Sequence, residues 1–266
     1  PTIIATTWRF HRNRTVGNFR QSGSFEKEVS PAMELVLAIA LIAVPVMFNW
    51  TFAELAKQFE YPEILRQPTT DVLSKFRAGG SKLVLTWWLF AMSALAFGLL
   101  AVLLPIQLGF GAAETALIAA LGLLASLTQF LGLVRWPFMV PHLAREAEHA
   151  NEAKLAAIDV VFQSLNRYLG VAVGEHLGYL FTGLWTAALG GVLLSNGIES
   201  QSGWHIAFGL IGVVLGMLLV LCSLEFVGKN ELSGWKLAGD ITPFVYIAWS
   251  LWLVGLGVSL LIFMSA

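Results

Sequence analysis

Glu175 and His176 lie side by side in the run GVAVGEHLGYLFT, residues 170–182, inside a stretch apolar enough to cross a membrane. An ionisable side chain in hydrocarbon costs about 2.5–3.5 kcal/mol on insertion scales, so a chain that keeps two there needs a ligand, a partner or a proton for them. On an α-helix at about 100° per residue, Tyr168, Glu175, Tyr179, Thr182 and Thr186 fall within about 40° of one line. They form a polar stripe on an otherwise apolar helix, and His176 looks elsewhere. Two readings follow. In one, Tyr168, Glu175 and Tyr179 line a polar cavity with Arg167 at its mouth. Gln129 on the third span and Tyr246 and Ser250 on the sixth would face it, and Glu175 would hold an ion, a proton or a cationic ligand. In the other, Glu175 accepts hydrogen bonds from neighbouring tyrosines and tryptophans and ties the bundle together, at about 0.6 kcal/mol per bond.

The remaining candidate chemistry is weaker. His176 is of a type that can ligate haem or a chlorin. A lone histidine within a span also serves as a hydrogen-bonded packing residue, and no cofactor is expected. His142, Glu146 and His149, at i, i+4 and i+7, would share a helix face and could hold zinc or iron. Their spacing is not that of H-E-x-x-H proteases; their neighbours read as a solvated helix face, and no metal is expected. The Gly79-Gly80-Ser81-Lys82 run lacks P-loop spacing. Glu225 and Lys229 would pair at i, i+4 on a helix. With no catalytic motif, the chain is not expected to be an enzyme.

These residues must be positioned by membrane helices. Of 266 residues, 57% are hydrophobic and 12% charged, about half the charged share of a soluble domain. Net charge is −1, so no basic field points to nucleic acid. Six windows reach the roughly 20 apolar residues of a spanning helix: 33–52, 83–104, 115–134, 169–194, 205–226 and 241–263. Pro45 falls inside the first. Trp50, Trp87, Trp136, Trp204 and Trp235 fall near span ends, as an interfacial belt would place them. Between the first two spans, Pro68 to Gly79-Gly80 delimits a short amphipathic helix with Val72, Leu73 and Phe76 on one side. A second amphipathic helix is predicted to start at Pro141 and to run, with Ile158, Val161, Phe162 and Leu165 at helical spacing, into the fourth span with a bend near Gly170. Gly170, Gly174, Gly178, Thr182 and Thr186 recur every four residues, a small-residue ladder for close helix approach, and Gly212 and Gly216 form a second pair. The fold expected is therefore an all-α polytopic membrane bundle of six transmembrane helices and two interfacial amphipathic helices, residues 31–266, behind a polar tail, residues 1–30.

The loops after spans one, three and five hold eleven Lys and Arg, and those after spans two and four hold none. The positive-inside rule places the basic loops in the cytoplasm and the termini outside. The tail, with Arg9, Arg12, Arg14, Arg20 and Lys27, argues the other way. It has no apolar signal region, so the first span is expected to direct insertion. Its stretch Trp8 to Arg14 mixes aromatic and basic groups suited to lipid headgroups or to docking on a partner subunit.

The runs RWPFMVPHLAR (135–145), VFQSLNRYLGVAVGEHLGYL (161–180) and YIAWSLW (246–252) resemble a family of bacterial integral membrane proteins, the domain of unknown function 4386, over roughly residues 33–265. The resemblance implies a multi-pass helical fold in a bacterial membrane and no particular reaction; the localisation expected is the inner membrane. Two functions stay open: a non-catalytic accessory or assembly subunit of a larger membrane complex, or a small-molecule or proton-linked transporter or sensor with its site at Glu175.

Overall fold

A computed structural model describes residues 31–231 and 233–264; the tail, with its candidate docking stretch Trp8 to Arg14, lies outside them. The described chain is helical, and six of its helices are long and apolar enough to cross a membrane. Helix α1 spans Pro31–Phe59 and passes through Pro45. A turn with a cis Tyr61–Pro62 bond leads to α2, Thr69–Gln107, which is broken at Gly80 (φ 57°, ψ −153°). Only glycine takes that conformation without strain. The short amphipathic helix thus ends where predicted, buries Val72, Leu73 and Phe76, and feeds directly into the second span.

Helix α3, Ala112–Glu148, runs unbroken through Pro137 and Pro141, contrary to the expectation that Pro141 starts a new helix. Two prolines four apart free carbonyls on a single face, and the rest of the ladder continues. The break comes at His149 to Asn151, where the Asn151 side chain accepts from the Lys154 amide at 2.9 Å and caps α4, Glu152–Leu165. From α4 the chain stays helical to Ser200, a rod of 49 residues. The predicted bend near Gly170 is replaced by a π-helical segment, Asn166–Leu177, before α5, Gly178–Ser200. Helices α6, Gly203–Cys222, and α7, Lys236–Met264, complete the bundle. Because α6 ends at Cys222, Glu225 and Lys229 do not share a helix.

The most extensive helix pairings are α5 with α6 and α2 with α3, each joined by a tight turn; α7 packs on α1 and α6. A Cβ on Gly183 would lie 2.6 Å from the Gly216 carbonyl, and one on Gly190 2.6 Å from the Val213 amide, so α5 and α6 touch backbone to backbone. Gly183, Gly190 and Gly197 recur every seven residues, on a different register from the four-residue ladder of Gly170, Gly174 and Gly178.

Two cores are stacked along the bundle. The first, within the spans, centres on Phe97, Trp185, Leu189, Trp249 and Trp252. The second unites the end of α1, the start of α2, the end of α3 and α4 around Phe59, Phe76, Trp87, Trp136 and Phe162. Trp87 and Trp136 stack with ring centroids 4.5 Å apart and are 0% and 1% exposed. They are core residues rather than the predicted belt, because the amphipathic helices cover them; Trp50, 53% exposed, does face outward. Ion pairs cross the same end of the molecule: Arg77–Glu148 at 3.3 Å, Arg167–Glu231 at 3.6 Å and Lys75–Glu60. The basic loops thus form one connected face.

Candidate functional site

The length of α5 sets the depth of Glu175. Its 23 residues rise about 34 Å at 1.5 Å each, enough for a hydrocarbon core of about 30 Å without the residues before Gly178. His176 Nδ1 donates to the Ser223 carbonyl at 2.7 Å, just past the end of α6. Glu175 is therefore level with the span ends on the basic side, at the seam between the two cores and not at mid-membrane.

The π-segment also redraws the polar stripe. π-helices are rare, occur mostly as single turns and favour functional sites; this one is 12 residues long. Each residue turns through less than the α-helical 100°, so Tyr168 leaves the line and is 65% exposed. Thr182 and Thr186 are fully buried, while Glu175 and Tyr179 are half-buried.

Across from Glu175 stands Arg135, which the sequence suggested only as a loop charge. It is 8% exposed. Its guanidinium donates to the Gly132 carbonyl and to Asn166 Oδ1 at 2.9 Å, and lies 5.2 Å from the Trp136 ring centroid. Asn166 is the first π-helical residue, so Arg135 holds the start of that segment. Gly132 and Gly174 bring the helices together: a Cβ on Gly132 would be 2.6 Å from the Gly174 Cα. Gly170 makes room for the guanidinium and Gly178 for Gln129.

Glu175 makes no direct hydrogen bond or ion pair among the described residues. Of the charges around it, Arg135 acts most strongly, then Glu225 and Arg167. Tyr61, in the turn after α1, joins them. Burial pushes its phenol well above the ordinary range; the Glu175 carboxylate adds to the rise and Arg135 opposes it. Tyr61 therefore stays protonated and able to donate. Its ring lies 5.1 Å from Trp87 and 5.6 Å from Phe52. Tyr179 meets Tyr246 edge-on at 5.1 Å. The buried Tyr246 hydroxyl lies beside the Thr182 hydroxyl, while the Trp87 indole N–H is buried without a hydrogen-bond partner. Buried polar groups are nearly always bonded, so that orphan calls for an explanation such as a bound water.

Other candidates are already satisfied. Gln129 donates to Thr182 at 2.7 Å, and Trp249 to Thr186 at 2.9 Å. Ser250 accepts from Asn49 at 2.8 Å. Arg167 sits at the rim, paired with Glu231. Glu146 pairs with Lys154 at 2.8 Å, and His149 terminates α3, so the predicted histidine face is not formed. The structure thus brings together Glu175, Tyr179 and Tyr246, adds Arg135 and Tyr61, and leaves Tyr168 and Ser250 outside.

The model of the domain of unknown function DUF4386 matches residues 33–261. The chain belongs to that family. No curated protein and no solved structure matches it. In this DUF4386 member the groups around Glu175 form one polar cluster. It offers one fixed cation, one carboxylate without a direct partner, and phenol groups from three elements. Such a set can bind a polar solute or exchange a proton.

Proposed function

We propose that this membrane protein binds a small polar solute or a proton at Glu175 and Arg135, in the manner of a transporter or sensor, with access from the basic face. The observation that supports this reading is the Glu175 carboxylate: it lies half-buried inside the bundle, beside a buried guanidinium, with no direct partner among the described residues. A carboxylate acting as glue would accept bonds from its tyrosine neighbours. The setting proposed is a bacterial inner membrane, with the basic face in the cytoplasm and the termini outside. Thermal unfolding of the protein in nanodiscs against a panel of inorganic cations, organic cations, organic acids, sugars and amino acids tests the site. At least one solute, or a pH-dependent proton uptake, should act on the wild type and not on a folded Glu175→Gln variant. If none acts on the wild type and Glu175→Gln unfolds, the carboxylate is structural.

The competing reading, a non-catalytic accessory or assembly subunit, draws on the close helix packing and the aromatic-basic tail. It predicts fixed partner subunits co-purifying in mild detergent. Isolation as a lone chain would count against it.

A further inference from the structure

We infer that the Arg135–Glu175 pair is arranged for a compact zwitterion carrying a primary ammonium and a carboxylate, the α-amino-acid class; this deepens the site reading above and rests on it. The two charged groups spring from one helix crossing. Gly132 and Gly174 are in backbone contact; Arg135 lies one turn beyond the first and Glu175 directly after the second. Even so, the ion pairs among the described residues include none between Arg135 and Glu175.

Each group is prepared for a partner of opposite sign. Arg135 spends two N–H groups, on the Gly132 carbonyl and on Asn166, and a guanidinium has five. The remaining donors, fixed by those bonds and by Trp136, suit a carboxylate in a forked geometry. Glu175 is an acceptor without a donor among the described residues, and the Tyr179 phenol follows one turn later on the same helical run, its ring against Tyr246. A primary ammonium brings three donors for a carboxylate and phenol oxygens. A lone cation would meet the field of Arg135, a lone anion that of Glu175, and a neutral solute would bring neither group a charged hydrogen-bond partner. A quaternary ammonium would leave the oxygens unbonded.

Equilibrium binding of radiolabelled glycine, L-alanine, L-leucine and L-phenylalanine to the full chain in nanodiscs tests this, with methylammonium and acetate as half-molecule probes. At least one amino acid should bind tenfold or more tightly than either half. Arg135→Gln and Glu175→Gln should each weaken it at least tenfold. The doubly neutral Arg135→Gln/Glu175→Gln variant should fold and bind none. Should the single variants not fold, the double variant decides, and amino-acid binding retained by it overturns the proposal. Binding of methylammonium alone, or of acetate alone, overturns the zwitterion while leaving the site. Binding of none of the six probes also overturns it, whereas the site reading falls only when the broad solute panel and proton uptake fail as well.

Discussion

Glu225 shows how the basic face sets the behaviour of a single residue. It is half-buried, its carboxylate pressed toward Gly239 and Gly234. Burial raises its carboxyl above the ordinary carboxylate range, with Arg66 opposing and Asp240 adding. The folded state therefore holds this proton more tightly than the unfolded chain. The stabilising contribution is complete below the unfolded value and is lost as pH rises through the raised folded value. Glu225→Gln should flatten the fall in thermal stability over that window; an unchanged pH profile would refute this account. Residues of this kind were only partly legible. Glu175 stood out as a carboxylate in an apolar run. Arg135 did not, because it closes an apolar window and reads as a loop charge, although its apolar flanks in LGLVRWPF carried a hint. Tyr61 sits in a polar linker with no local signal; only the turn after α1 carries it to Glu175.

At the level of elements, the site depends on the crossing of α3 with the π-segment. A Cβ at Gly132 would press on the Gly174 Cα at 2.6 Å and the Leu169 carbonyl at 3.1 Å, neither of which can rotate away. Gly132→Ala should cost about 1–3 kcal/mol as overpacking. Gly191, on α5, has nothing within 4 Å of its would-be Cβ, and Gly191→Ala should gain up to about 1 kcal/mol from helix propensity. Thermal unfolding of both variants in detergent checks the pair; equal effects would mean that the crossing is not tightly packed. The amphipathic helix before Gly80 was readable from its Pro start, Gly stop and apolar face. The π-segment was not. Its residues carry no pattern distinct from an α-helix, and its geometry goes with contacts to Gly132 and Arg135 about 40 residues away in the chain.

For the whole molecule, one end is basic and cross-linked by ion pairs, and the other carries two short uncharged turns. Cys222 is the chain's single cysteine and is buried, so a Cys222→Ala background permits placed thiols. With the orientation proposed, Gln67→Cys should be shielded from an impermeant maleimide in intact spheroplasts and Ser200→Cys should react. The reverse pattern would invert the topology and turn the Glu175 site outward. Outward-facing apolar residues such as Leu99, 69% exposed, and Phe244, 73% exposed, are the surface that lipid covers in either orientation.

The sequence by itself determined the six apolar windows, the two amphipathic segments and the side on which basic charge collects. Each is a sum over neighbouring residues, and transfer to hydrocarbon depends on little else. Only the tertiary structure decided that the fourth span begins near Gly178, that a second aromatic core lies beneath the basic face, and that Arg135 and Tyr61 face Glu175 at the seam between the cores. Those facts depend on which distant residues pack together. Close glycine contacts, a buried guanidinium and a π-helical stretch arise from such packing and leave only faint traces along the chain.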